Sequence, residues 1–147
     1  ILSQSSSNGG GPYNILKDLA MMKVGFPLYA LGCIGTDAWG KYIIDDCRKH
    51  NIDTENMVFS KKKPTSYTDV MTVEADGRRT FFHNRGANAE LHPDHFSIEN
   101  NPSKIFHLAY LMLLDALDKK TPSGTTGAAL VLEKAKNSGF ITTADVV

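Results

Sequence analysis

Cysteine is scarce in this sequence: Cys33 and Cys47 are the only two, they have no CxxC spacing, and both sit among apolar residues. A disulfide framework and a cysteine metal knuckle are therefore not expected, and two reduced thiols packed as small hydrophobes fit a cytoplasmic protein. Excess charge is also missing. Lys plus Arg and Asp plus Glu stand at 16 each, which leaves no global field to attract nucleic acid or an anionic membrane surface. No apolar run reaches the roughly 20 residues that a membrane helix requires, and the polar start, Ile1 to Gly11, lacks the pattern of a signal peptide. The common phosphate motifs are absent too: no GxGxxG follows a strand, and no Lys-Ser or Lys-Thr follows the glycines as in a P-loop. His92 and His95 form an HxxH, but Pro93 lies between them and no further ligand completes a set, so metal is not expected there. No serine or cysteine hydrolase triad is visible.

What is present is a chain of 147 residues with 41% apolar side chains, enough for one compact α/β core or for one domain with a small appendage. A polar, flexible stretch, Ser3 to Asn8, leads into Gly9, Gly10 and Gly11. From Tyr13 the spacing is helical, with Ile15, Leu19 and Met22 on one stripe, Leu16 and Ala20 beside it, and Gly25 and Pro27 to stop it. Leu28 to Ile34 is apolar on both alternating faces, the pattern of a strand covered on both sides in a parallel sheet. Gly35 to Gly40 then turns into a helix over Lys41 to His50 that buries Tyr42, Ile43, Ile44 and Cys47.

The middle breaks this rhythm. Thr65 to Val73 and Arg79 to Asn84 are β-rich and joined through Asp76-Gly77, a strong hairpin signal, so a small inserted sheet is expected over roughly residues 57–86 of a domain that fills 1–147. Beyond Pro102 the spacing predicts a strand over Lys104 to Leu111, a helix over Gly127 to Asn137 ending at Gly139, and a strand over Phe140 to Val147. A sheet strand with no covering helix after it reads as an incomplete domain.

Three places carry chemistry. Gly9 to Asn14 precedes a helix: glycines let backbone amides approach a ligand, the helix start adds partial positive charge, and Asn14 offers a donor and an acceptor to a pair of hydroxyls. An ordinary loop and N-cap competes evenly with that reading. Gly35 to Gly40 lies at the carboxyl end of a buried strand, where open α/β sheets gather ligands, although Asp37 itself suits a helix cap better. Asp115, ending the run Ala109 to Leu114, can accept hydrogen bonds from vicinal hydroxyls, each charge-assisted bond worth roughly 1.5 to 3 kcal/mol net; a solvated acid beside Lys119 and Lys120 is its rival. His50, His83 and His107 have no evident partner.

In order and spacing, GGGPYN (Gly9 to Asn14), LGCIGTDAWGKYI (Leu31 to Ile43), TSYTDVMTVEADGRRTFF (Thr65 to Phe82), RGANAEL (Arg85 to Leu91) and LMLLDA (Leu111 to Ala116) resemble the ribokinase/PfkB carbohydrate kinase family, with RGANAEL closer to fructokinase-like members than to adenosine kinases. The resemblance implies a Rossmann-like α/β ribokinase fold, its mainly parallel central sheet flanked by helices, with a small β-sheet lid that pairs subunits into homodimers in many relatives. It implies transfer of the γ-phosphoryl of ATP, with Mg2+, to a hydroxymethyl group of a sugar or related alcohol. Gly10, Gly11 and Asn14 would line the sugar pocket and Asp115 would match an acidic substrate contact. Arg79 or Arg85 would reach a sugar phosphate, because guanidinium favours bidentate phosphate contacts; exposed lid charges are the rival reading for both. Asp145 resembles the strand-end Asp or Asn that faces nucleotide phosphates. The pattern has a small residue at Leu16, places a first strand with a substrate-binding aspartate before Ile1, and places the GAGD-type segment, with its catalytic base and anion hole, beyond Val147. No catalytic residue is thus expected within the chain, which by itself should not transfer phosphate. Two alternatives compete for the whole protein: a non-catalytic sugar-binding or regulatory homologue of the same fold, and a dinucleotide-dependent oxidoreductase, which the missing glycine fingerprint disfavours.

Overall fold

The structure is a computed structural model and describes residues 1–146 of the chain. The final residue of the strand expected over Phe140 to Val147 lies outside those residues.

Helix α1 spans Gly11–Met21, with Gly10 as its N-cap at φ 94 and Pro12 in its first turn, where a missing N–H costs nothing and a fixed φ is already helical. It stops earlier than Gly25, because Lys23 takes a left-handed φ of 54. Its buried stripe is also displaced from the expected one: Tyr13 is buried and packs with Leu16, Leu19 and Ala20, while Ile15 and Met22 are exposed.

The apolar run Leu28 to Ile34 forms two short strands instead of one, β1 (Leu28–Tyr29) and β2 (Cys33–Gly35). After β2 comes helix α2 (Ala38–Lys49), then β3 (Ile52–Asp53) and β4 (Val58–Ser60). Strand β3 pairs in parallel with β1, and β4 with β2. Across the break, Ala30 N donates to Asp53 O at 2.8 Å and Val58 N donates to Gly32 O at 2.8 Å, so the backbone stays satisfied where the regular ladder lapses. Both faces are covered, as the apolar pattern demanded: Leu28 and Ala30 join Tyr13, Cys47 and Ile52 in one cluster, whereas Leu31 and Cys33 belong to another with Leu108, Leu117, Val131 and Phe140. On α2, Ile44 and Cys47 are buried as expected, but Tyr42 points outward and stacks edge-on with exposed Trp39. Burial, and then the Asp46 carboxylate, push the Cys47 thiol up to about 11; burial, and then Glu90, raise that of Cys33.

The hairpin consists of β5 (Tyr67–Thr72) and β6 (Arg79–Asn84), antiparallel with Val70 opposite Phe81. Gly77 sits in its turn at φ 70. Every residue of both strands is exposed. The chain then re-enters the core through 3-10 turns at Gly86–Glu90 and Pro93–His95. Strand β7 (Ile105–Leu111), short helix α3 (Asp115–Asp118), helix α4 (Gly127–Asn137) and strand β8 (Ile141–Val146) follow, with β7 and β8 parallel. The strand-helix-strand unit from β7 to β8 keeps the expected order, and Gly127, Ala128, Val131 and Ala135 form the buried face of α4. Among the described residues, no helix is long and apolar enough to cross a membrane.

Candidate functional site

The glycine loop is held from two sides. The N–H of Gly11 donates to the Tyr110 hydroxyl at 2.6 Å, and that ring leaves no room for a side chain: a Cβ on Gly11 would lie 2.9 Å from Tyr110 Oη. On the other side, the Tyr13 hydroxyl donates to Asp46 on α2, while the Lys17 ammonium lies 5.5 Å from the Tyr13 ring centre. Burial, and then Asp46, push the Tyr13 hydroxyl well above its ordinary value. Burial works to raise the Asp46 carboxyl, but the Tyr13 hydrogen bond and the Lys17 charge outweigh it and hold it low. Between these anchors the Asn14 side chain is exposed, as a ligand contact requires.

Tyr110 begins a tight turn at the carboxyl end of β7. Met112 adopts φ 78 there, and the Asp118 carboxylate secures the turn by accepting from Met112 N at 3.0 Å and Leu114 N at 2.8 Å. Asp115 follows as the first residue of α3, one short turn beyond the strand edge where its sequence position had put it. Its partner is not Lys119 or Lys120 but Arg85, which gives its Nη1–H to the Asp115 carboxylate and its Nη2–H to Met112 O at 3.4 Å. Arg85 is the residue immediately after β6. Arg85, Met112, Asp115, Asp118 and Lys119 line an open cavity of about 340 Å³. With both side chains about two-fifths exposed, the pair adds little stability, about 0 to 1 kcal/mol for such pairs.

The other candidates lie apart in role. Asp37 caps α2, accepting from Gly40 N at 2.9 Å, and also takes Thr65 N at 2.8 Å and Thr65 Oγ1 at 2.6 Å. The Thr65 hydroxyl bond, then the Gly40 and Thr65 amides, hold the Asp37 carboxyl below its usual range. Asp145, on β8, has a buried carboxylate oxygen without a hydrogen-bond partner, 4.0 Å from a similarly unpartnered His107 Nε2; Thr143 Oγ1 meets the other ring nitrogen of His107 at 2.9 Å. His50 and His83 also have partners, Asp46 O at 2.8 Å and Thr68 Oγ1 at 2.7 Å. Arg79 stays on the hairpin, 5.4 Å from the Phe81 ring centre.

Sequence reasoning missed Tyr110, Asp118 and Thr65. Tyr110 and Asp118 flank LMLLDA at a distance of one and two residues, and a polar group just outside a strand-end motif was the only local signal. Thr65 is polar yet 2% exposed, a contrast that composition alone does not reveal.

Parallel ribbons covered by helices, a hairpin standing outside them and a pocket at a strand's carboxyl end define a ribokinase-fold protein. Solved structures share that fold: the fructokinase of Halothermothrix orenii (TM-score 0.71, 26% identity, 93% of this chain and 45% of that one), the ATP-bound fructokinase of Xylella fastidiosa (0.68, 23%, 94% and 42%) and the ribokinase of Thermotoga maritima (0.66, 19%, 92% and 40%). Within the fold, the chain belongs to the pfkB family of carbohydrate kinases, whose pattern matches residues 3–144. Among curated relatives, Probable fructokinase-2 of Arabidopsis thaliana is 28% identical over 151 residues, covering 98% of this chain and 43% of the relative. The chain thus spans less than half the length of the curated relatives it matches.

Proposed function

We propose that the full-length protein phosphorylates a sugar or related alcohol with ATP, and that this region supplies the sugar pocket and the lid. The observation that carries the reading is the meeting of three elements on one turn: Tyr110 touches the glycine loop, and five residues later Asp115 pairs with Arg85 at the root of the hairpin. Gly10, Gly11 and Asn14 then border the sugar on the α1 side, while Asp115 accepts from its hydroxyls and Arg85 donates. The hairpin, which hangs from Arg85, closes over them and excludes water. The same hairpin joins two copies into a homodimer, and the buried free thiols suit a cytoplasmic protein.

The nucleotide supplies the transferable γ-phosphoryl group; ATP is bound by the Xylella fructokinase of the same fold. Asp145, which resembles a strand-end Asp or Asn, is assigned to face the nucleotide phosphates; as an anion it would act there through a cation rather than on the phosphates directly. Mg2+ would arrive with the nucleotide and supply positive charge beside its phosphates. The test is ADP release by the full-length protein with ATP and a panel of fructose, ribose, ketodeoxygluconate and nucleosides. Turnover of a sugar is expected; no turnover together with no calorimetric binding of any sugar overturns the reading. In the active protein, Arg85→Ala should raise the sugar KM about tenfold or more, as loss of one charge-assisted hydrogen bond predicts, and unchanged kinetics would remove Arg85 from the site.

A further inference from the structure

We infer that Tyr110 is a further substrate-contacting and specificity-determining residue, and this rests on the sugar-kinase reading above. The glycines before α1 suggest that backbone amides are laid open to a ligand. In the folded chain the Gly11 amide is already taken by the Tyr110 hydroxyl at 2.6 Å, and the space where a side chain on Gly11 would project is filled by the Tyr110 ring, with Oη, Cζ and Cε1 at 2.9, 3.0 and 3.1 Å from an added Cβ. Whatever approaches Gly11 from β7 therefore meets a phenol.

The phenol has the chemistry for a polyol. Its oxygen accepts from Gly11 N–H, which orients the group, and its own proton has no acceptor among the described residues. A tyrosine hydroxyl so placed donates one hydrogen bond outward. The half-buried ring offers an apolar surface to the C–H side of a sugar. The position is well defined, because the next five residues form the turn secured by Asp118 and lead to Asp115 and Arg85. Tyr110 thus links the start of α1, which carries Asn14, to the turn that carries Asp115. The ring also limits how bulky a ligand can be at the Gly11 end.

Two variants of the full-length protein separate these roles. Tyr110→Phe keeps the ring and removes the hydroxyl; the expected result is a sugar KM raised about tenfold with the KM for ATP unchanged, beside whatever fall in the unfolding midpoint follows from losing the Gly11 bond. Tyr110→Ser removes the ring and should change the ranking of the sugar panel toward bulkier acceptors. If the wild type turns over a sugar and Tyr110→Phe leaves its KM unaltered, or moves only the midpoint, the role of Tyr110 is refuted while the kinase reading stands. If the wild type neither binds nor phosphorylates any sugar, both fall together.

Discussion

Asp37 illustrates how one side chain can serve a cap and a tertiary link at once. A capping aspartate usually spends its oxygens on its own helix, yet here Thr65, 28 residues away, gives both its amide and its hydroxyl to the same carboxylate. Thr65 Oγ1 also accepts from Gly35 N at 3.0 Å, so the end of β2, the start of α2 and the approach to the hairpin share one buried junction. Asp37→Asn still caps Gly40, since asparagine caps as well as aspartate, but it sets an amide NH2 against the Thr65 N–H and should cost about 1 to 2 kcal/mol at neutral pH, the scale of a donor left unpaired. The pH dependence follows from the lowered carboxyl. Because the folded state favours the ionised form, the contribution is full above the unfolded carboxylate value near about 3.9 and is lost as pH falls through the lower folded value. Unfolding midpoints of wild type and variant, measured from pH 7 downward, should therefore converge in acid; a gap that stays constant would show that the charge is not involved. The capping role was legible from Asp37 alone, since a short acid before an amphipathic run is a helix start signal. The bond to Thr65 was not, because nothing local ties the two positions.

At the level of elements, the hairpin and the core obey different rules. β-rich composition and Asp76-Gly77 located β5 and β6 because strand propensity and a left-handed turn residue are local properties. Gly77 at φ 70 uses that freedom directly. Gly77→Ala should cost about 1 to 2 kcal/mol in the turn and speed hydrogen exchange of the β5 and β6 amides roughly tenfold. The global unfolding midpoint should stay near the wild-type value, because the strands are exposed on both faces; a large fall in the midpoint would mean that the hairpin is part of the cooperative core. The run Leu28 to Ile34 was legible as doubly covered but not as divided, since the break depends on where Asp53 and Val58 present their backbone groups. Asp115 shows the same limit: hydropathy ends the strand near the right residue, while the turn before α3 is set by Asp118 reaching back to Met112 and Leu114.

For the whole molecule, the hairpin leaves apolar side chains on both of its faces. Tyr67, Met71 and Phe82 lie on one and Val70 and Phe81 on the other, with Phe81 and Phe82 56% and 58% exposed. A two-stranded hairpin is marginal by itself; under the proposed function, one face closes over the sugar and the other meets a second copy of the chain. Phe81→Ser and Phe82→Ser in the full-length protein should accordingly split: one weakens self-association in sedimentation, the other raises the sugar KM. A wild type that stays monomeric at micromolar concentration would exclude the homodimer. The sequence by itself determined the bounds of α4 between two strands, the hairpin and the family, since these follow from periodicity, turn chemistry and motif order along the chain. Only the tertiary structure decided that Arg85 meets Asp115, that Tyr110 occupies the Gly11 amide and that Asp37 binds Thr65, because each joins residues 28 to 99 positions apart and arises from packing that no local pattern records.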